Sequence, residues 1–291
     1  MASLKEIKER IASVKSTRKI TSAMKMVSAA KLRRVQRSIE SLLPYSDELE
    51  RMVRHIAADP DISVPMAVER EVRHTTLVAF GANGTLCGAY NNNIFRGLKE
   101  AIAASGATTP DELRIIAVGR QVEHNASRDR IVAEGGYEQL SEKPSYEVAS
   151  QMARQLMGNF LEGHTDLVEI VYYKFISAGT QKLVREQLLP IEMECREVDK
   201  PAPAEVDYIL EPSNQELLDR IVPRQVALKL YAAALSASAS EHAARMVAMQ
   251  AATDNADKLV DELALEYNKQ RQQAITTELL DIMGGQVQGR R

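Results

Sequence analysis

Between residues 224 and 283, apolar and small side chains recur at spacings of three and four: Val226, Leu230, Ala233, Ala237, Ser240, Ala244, Val247 and Ala251. That is the period of a coiled coil. The stretch contains neither Gly nor Pro, so a single helix of roughly 90 Å is expected at 1.5 Å per residue. The stripe is mostly alanine, and small side chains let a partner helix approach closely. Past the polar cluster Thr253-Asp254-Asn255 the pattern resumes at Leu259, Leu263 and Tyr267, then at Ile275, Leu279 and Ile282. Gly284-Gly285 is expected to end the helix. Helical propensity alone gives so long an element little stability, so it needs something to pack on.

A second long helix is expected over residues 3–57. Ser3 and Glu6 have the spacing of a capping box. Leu4, Ile7, Ile11 and Val14 follow a 3-4-3 spacing, and Met24, Val27 and Leu32 continue the face less regularly. Pro44 is its one breaker and predicts a kink. The two terminal helices are each other's simplest partners, paired antiparallel, with the intervening chain forming a separate body.

That middle region changes period. Residues 59–68 hold Pro60 and Pro65 and read as a linker. Residues 75–80 form a β-branched and apolar run, 90–104 has helical spacing, and 113–118 is a buried-strand pattern. Residues 145–161 are helical and 167–176 strand-like, so strand and helix alternate as in an α/β unit with a mainly parallel sheet. Residues 182–190 suggest a further strand at an edge. Lys200-Pro201-Ala202-Pro203 reads as a linker and Tyr208-Ile209-Leu210 as a short strand. Ser213 is placed to cap a helix that Pro223 interrupts or restarts.

Composition sharpens this division. Aromatic residues make up only 4% of the 291 and Trp is absent, which disfavours one large aromatic core. The net charge is only -3, yet the first 37 residues carry eleven basic side chains against Glu6 and Glu9. Such a run is a solvated face or a surface for an acidic partner. Nucleic acid is disfavoured, because no aromatic residue precedes Tyr45 to stack on bases. Residues 1–25 are too charged for a signal peptide, and no apolar run approaches the ~20 residues of a membrane span. Cys87 and Cys195 lie far apart, which suits reduced thiols in a cytosolic compartment.

Candidate chemistry is sparse. The stretch Gly81-Ala82-Asn83-Gly84-Thr85-Leu86-Cys87-Gly88 joins a strand to a helix and could cradle phosphate. It matches neither a P-loop nor G-x-G-x-x-G, so a tight structural turn with φ > 0 at Gly84 or Gly88 competes with that reading. Cys87 is either an activated thiol or a packed structural residue. His55, His74, His124, His164 and His242 are scattered singly, with no metal spacing. No catalytic pair, metal site or cofactor site is expected.

Two terminal motifs and two internal ones carry a resemblance. The first is Ile11-Ala12-Ser13-Val14-Lys15-Ser16-Thr17-Arg18-Lys19-Ile20-Thr21-Ser22-Ala23-Met24-Lys25-Met26-Val27. The second runs from Ser240-Glu241-His242-Ala243-Ala244-Arg245-Met246 through Thr253-Asp254-Asn255-Ala256 to Tyr267-Asn268-Lys269-Gln270-Arg271-Gln272. With Leu86-Cys87-Gly88-Ala89-Tyr90-Asn91 and Phe175-Ile176-Ser177 between them, nearly the whole chain resembles the gamma subunit family of rotary, F-type ATP synthases. One departure stands out. Where the family commonly has Asp-Arg-Gly or Asp-Lys-Gly before Leu-Cys-Gly, this chain has Asn83-Gly84-Thr85, so a charge pair is lost and the turn must be held in another way.

The resemblance implies a non-catalytic axle. Its N- and C-terminal helices would turn as a coiled coil inside a ring of three alpha and three beta subunits. Its body would dock on the epsilon subunit and the membrane c-ring, peripherally, at the cytoplasmic face of a bacterial membrane. By position, Met24 would meet the lever loop of beta, and Arg271 and Gln272 would catch another beta loop. Tyr208 and Glu211 would face the c-ring and epsilon. Read without the family, Met24 is helix packing and Arg271 a solvated charge. The implied fold is α/β plus a long antiparallel coiled coil. A Rossmann-like body with a mainly parallel sheet (70–210) lies between helices at 1–58 and 213–287. An autonomous α/β enzyme or a coiled-coil nucleic-acid binder are the competing classes. The enzyme would turn over substrate unaided, and the binder would show a steep salt dependence.

Overall fold

A computed structural model describes residues 3–57, 62–107, 109–192, 211 and 213–288. Helix α1 (Leu4–Ala57) opens on the expected capping box. The Ser3 N–H donates to Glu6 Oε2 at 2.7 Å and the Glu6 N–H to Ser3 Oγ at 3.3 Å. The helix continues through Pro44 to its end. Strand β1 (Thr75–Phe80), α2 (Tyr90–Ser105), β2 (Leu113–Val118) and α3 (Arg120–Arg128) follow. Then come α4 (Glu138–Glu142), α5 (Tyr146–Leu161), β3 (Leu167–Ser177), β4 (Thr180–Leu189) and α6 (Asn214–Gln288).

Helix α6 corrects two expectations. Ser213 does cap it, its Oγ accepting from the Glu216 N–H at 3.3 Å, but Pro223 neither interrupts nor restarts it. The proline removes one backbone hydrogen bond, while buried Leu218, Ile221 and Val222 before it and Val226, Ala227 and Leu228 after it anchor both sides. Nor does Gly284-Gly285 end the helix, which continues to Gln288. Glycine weakens a helix by about 1 kcal/mol per residue without sterically forbidding it. The expected linker at 59–68 contains a 3-10 turn, Pro65–Ala67. Cys195, the linker at 200–203, Tyr208 and the short strand at 208–210 lie outside the described residues.

The chain divides into two compact units, one formed by Met1–Ala29 with Arg245–Arg291 and the other by Ala30–Ala244. In the first, the two terminal segments lie side by side and run in opposite directions. Arg18 Nη1 donates to Asp257 Oδ1 at 2.7 Å, and the hydroxyls of Thr21 and Thr253 share a hydrogen bond at 2.8 Å. Ile7, Ser28, Met249, Ala256 and Leu263 are buried there. The ion pair is half-exposed and contributes under about 1 kcal/mol.

In the second unit the strand order is β2-β1-β3-β4. β1 is parallel to β2 and β3, and β4 joins β3 antiparallel, so the sheet is mixed. All six residues of β1 are buried, as a central strand covered on both faces requires. Val78 and Phe80 face Met152, Leu156 and Phe160 of α5 and Val226, Leu230 and Ala233 of α6. Leu77 and Ala79 face Ile94 and Leu98 of α2 and Val122 and Ala126 of α3. A third cluster packs Leu49, Val53 and Ile56 of α1 against Leu218, Ile221 and Val222 of α6.

The stripe read as one coiled-coil seam therefore serves two purposes. Val226, Leu230, Ala233 and Ala237 pack in the sheet core, whereas Val247 and Ala251 are exposed. A periodic pattern records that a face is buried without recording what buries it.

Candidate functional site

The glycine-rich turn after β1 is closed upon itself. Gly88 has φ 60, as expected of one of its two candidate glycines, and Leu86 also adopts a left-handed conformation at φ 64. Asn91, in the first turn of α2, accepts from the Ala82 N–H through Oδ1 at 3.0 Å. Its Nδ2 donates to the Gly84 carbonyl at 3.1 Å and lies 3.3 Å from Cys87 Sγ. Asn83 provides the second brace, donating to the Glu138 carbonyl at 2.8 Å and accepting from the Arg120 N–H at 3.2 Å. Ser141 Oγ donates to the Gly81 carbonyl at 2.7 Å. Neutral amides and a hydroxyl thus hold the turn. The Cys87 side chain is buried in the core between β1 and α2, which favours the structural reading.

Ligands of open α/β sheets bind beyond the carboxyl ends of the strands, where the connections diverge. Here that crevice, between β1 and β3, is filled by α6. The Phe175 N–H donates to Ser236 Oγ at 2.7 Å. Ser240 Oγ donates to the Tyr173 carbonyl at 3.1 Å, and Tyr90 OH to the Ala237 carbonyl at 3.1 Å. Tyr90 stacks on Tyr173 with centroids 5.2 Å apart. Burial, reinforced by the Glu241 carboxylate, pushes its hydroxyl well above the usual tyrosine pKa, so it stays protonated and a donor.

The histidines remain dispersed. His74 lies 3.6 Å from Asp166 and His242 Nδ1 lies 2.8 Å from Glu241. Among the described residues no group of three or more His, Cys, Asp or Glu is placed to hold a metal. No helix among them is long and apolar enough to cross a membrane.

The residues singled out from the sequence are spread along the two long helices. Met24 is half-buried on α1, and Arg271 and Gln272 are exposed on α6. The Thr21–Thr253 contact puts Met24 opposite the turn around residue 250, about 30 Å along α6 from Arg271 at 1.5 Å per residue. The two are not brought together. Glu211 is exposed, and Tyr208 lies outside the described residues. Sequence reasoning missed Tyr90, Ser236 and Ser240. Tyr90 and Ser240 stood in the motifs without an assigned contact, and serines at i and i+4 in an alanine-rich helix read equally as helix packing.

Residues 3–287 match the sequence model of the ATP synthase family. The chain is 46% identical to the ATP synthase gamma chain of Bacteroides fragilis over 98% of its own length and 99% of that protein. It is 45% identical to the gamma chain of Bacteroides thetaiotaomicron over 99% and 100%. Among solved structures, the fold is similar to the rotor of the Euglena gracilis mitochondrial ATP synthase, with TM-score 0.64, 20% identity, and coverage of 94% of this chain and 98% of that one. It is also similar to a chain of the Tetrahymena thermophila mitochondrial ATP synthase central stalk and c-ring, with TM-score 0.59, 22% identity, and coverage of 80% and 99%. Identity at the bacterial level along the whole length means that this chain belongs to the ATP synthase gamma chain family.

Proposed function

We propose that the protein is the central-stalk rotor subunit of a proton-translocating F-type ATP synthase, non-catalytic itself. It couples ion flow through the membrane sector to ATP synthesis in the alpha–beta head, and the reverse. Its partners are the three alpha and three beta subunits, the epsilon subunit and the c-ring, and it sits peripherally at the cytoplasmic face of the bacterial membrane. The observation that carries this reading is the end-to-end likeness to bacterial gamma chains. The crevice filled by Ser236, Ala237 and Ser240 supports it against an autonomous enzyme.

In this reading residues 1–58 and 213–287 act as a two-helix axle, an antiparallel coiled coil toward the tips, and residues 70–210 form a Rossmann-like body. The opposed pairing of Arg18 with Asp257 and Thr21 with Thr253 supports the coiled coil. The two parallel strand pairings with helices on both faces support the Rossmann-like body. Met24, Arg271 and Gln272 meet beta and transmit torque, while Tyr208 and Glu211 face the c-ring and epsilon. The test is co-expression with alpha and beta. The chain is expected to co-purify at one copy per hexamer and to restore coupled ATPase activity to heads lacking it. Alpha–beta heads that reach full coupled activity without it would refute the reading.

A further inference from the structure

The last β1–β3 pairing joins Ala79 to Val171, yet β3 runs on to Ser177. Beyond that point β3 keeps β4 on one side and has lost β1 on the other. The Tyr173 carbonyl and the Phe175 N–H flank Lys174 and point toward the lost strand. They are the two groups that one residue of a longer β1 would bond in a parallel ladder. Helix α6 supplies both partners instead, the Ser240 hydroxyl donating to the first and the Ser236 Oγ accepting from the second. The serines lie one turn apart on one helix face. Between them the Ala237 carbonyl receives the Tyr90 hydroxyl. Buried Ala233, Ala234, Ala237 and Ala239 leave room for the helix to come this close.

The apolar packing of α6 on the sheet resists separation and is itself non-directional. Hydrogen bonds fail within fractions of an ångström and tens of degrees. Three of them within one turn fix the rotation of α6 about its own axis relative to the sheet. We propose that residues 236–240 of α6, with Tyr90, are the joint through which torque passes between the α/β body and the C-terminal helix. The inference rests on the rotor reading and makes Ser236, Ser240 and Tyr90 positioning residues for it.

The test uses the chain reconstituted with alpha, beta and epsilon, with the head immobilised. A bead is attached to the body through Val132→Cys, a position 86% exposed, in a Cys195→Ser background. Angular fluctuations of the bead are recorded during the catalytic dwell. The double variant Ser236→Ala/Ser240→Ala is expected to assemble and hydrolyse ATP as wild type, with angular variance increased roughly twofold or more. Tyr90→Phe keeps the stacked ring, removes one bond and should give a smaller increase. It also serves if the double variant fails to fold. Leu98→Ala, buried in the body and eight residues along α2 from Tyr90, makes none of the three hydrogen bonds and controls for destabilisation alone. Unchanged variance in the serine and tyrosine variants overturns the inference, as does equal broadening in Leu98→Ala at matched Tm loss. A wild-type chain that never rotates in the head would instead overturn the rotor reading beneath it.

Discussion

Asp166 ties the entry of β1 to the entry of β3, and its removal should be felt throughout the body. Its Oδ2 accepts from the backbone N–H groups of Arg73 at 3.1 Å and His74 at 3.0 Å. Arg70 Nη1 lies 4.0 Å from Oδ1 and is itself held by the Phe160 carbonyl at 2.7 Å. The N–H groups of Asp166 and Leu167 return bonds to the His74 carbonyl. A hydrogen bond to a charged group contributes about 1.5–3 kcal/mol. Because both N–H groups converge on one oxygen, the lower figure applies to each, and Asp166→Ala should destabilise the body by about 3 kcal/mol. Asp166→Asn keeps an acceptor and should lose about half of that.

The pH dependence follows from the same contacts. Burial alone would raise the pKa of Asp166, but the His74 and Arg73 N–H groups, with the charges of His74 and Arg70, outweigh it and lower the pKa. A folded pKa below the unfolded value of about 3.9 gives stability that is present above about pH 4 and lost as pH falls through the folded value. Urea unfolding of the full chain, followed by circular dichroism from pH 7 downward, measures both effects. The gap between wild type and Asp166→Ala should be about 3 kcal/mol at pH 7 and narrow below about pH 4. A gap under about 1 kcal/mol at neutral pH, or one that does not narrow in acid, would refute the reasoning.

Five further variants test other parts of the chain. Asn83→Ala removes both hydrogen bonds of the second brace and should lower stability by about 1–2 kcal/mol with assembly retained, read as a Tm shift. Gly119→Ala would place a Cβ 2.5 Å from the Gly81 carbonyl at φ 107; a loss of more than about 3 kcal/mol, seen as a collapse of soluble yield, is expected. Cys87→Ala should leave coupled ATP synthesis near the wild-type rate, so abolished activity in an assembled complex would contradict a structural role. Met24→Lys should add an ion pair to acidic beta residues and trap one rotor angle. A bonus of about 1.4 kcal/mol on that dwell slows escape roughly tenfold, lowering ion pumping per ATP, whereas Arg271→Ala should lower turnover without loss of assembly; hydrolysis and pumping measured on the same membranes separate the two.

The elements of this protein were legible locally. Strand β1 and strand β2 fall where β-branched runs stand, because a strand buried on both faces is a continuous apolar stretch. The α1 capping box was visible because its four residues meet through bonds three positions apart. The family was legible because its motifs are long and stand in order along the chain. What a periodic face packs against was not, since burial by a sheet and burial by a helix leave the same 3.6-residue signature. Only the tertiary structure assigns Val226 and Leu230 to the sheet and leaves Val247 in solvent. Pro223 reads as a breaker one residue at a time, yet packing on both sides holds its helix through it. The bonds from Ser236 and Ser240 to β3 depend on where a distant strand stops, a relation between residues more than sixty apart in sequence. No local pattern encodes it, because the orphaned backbone groups exist only once the sheet has formed.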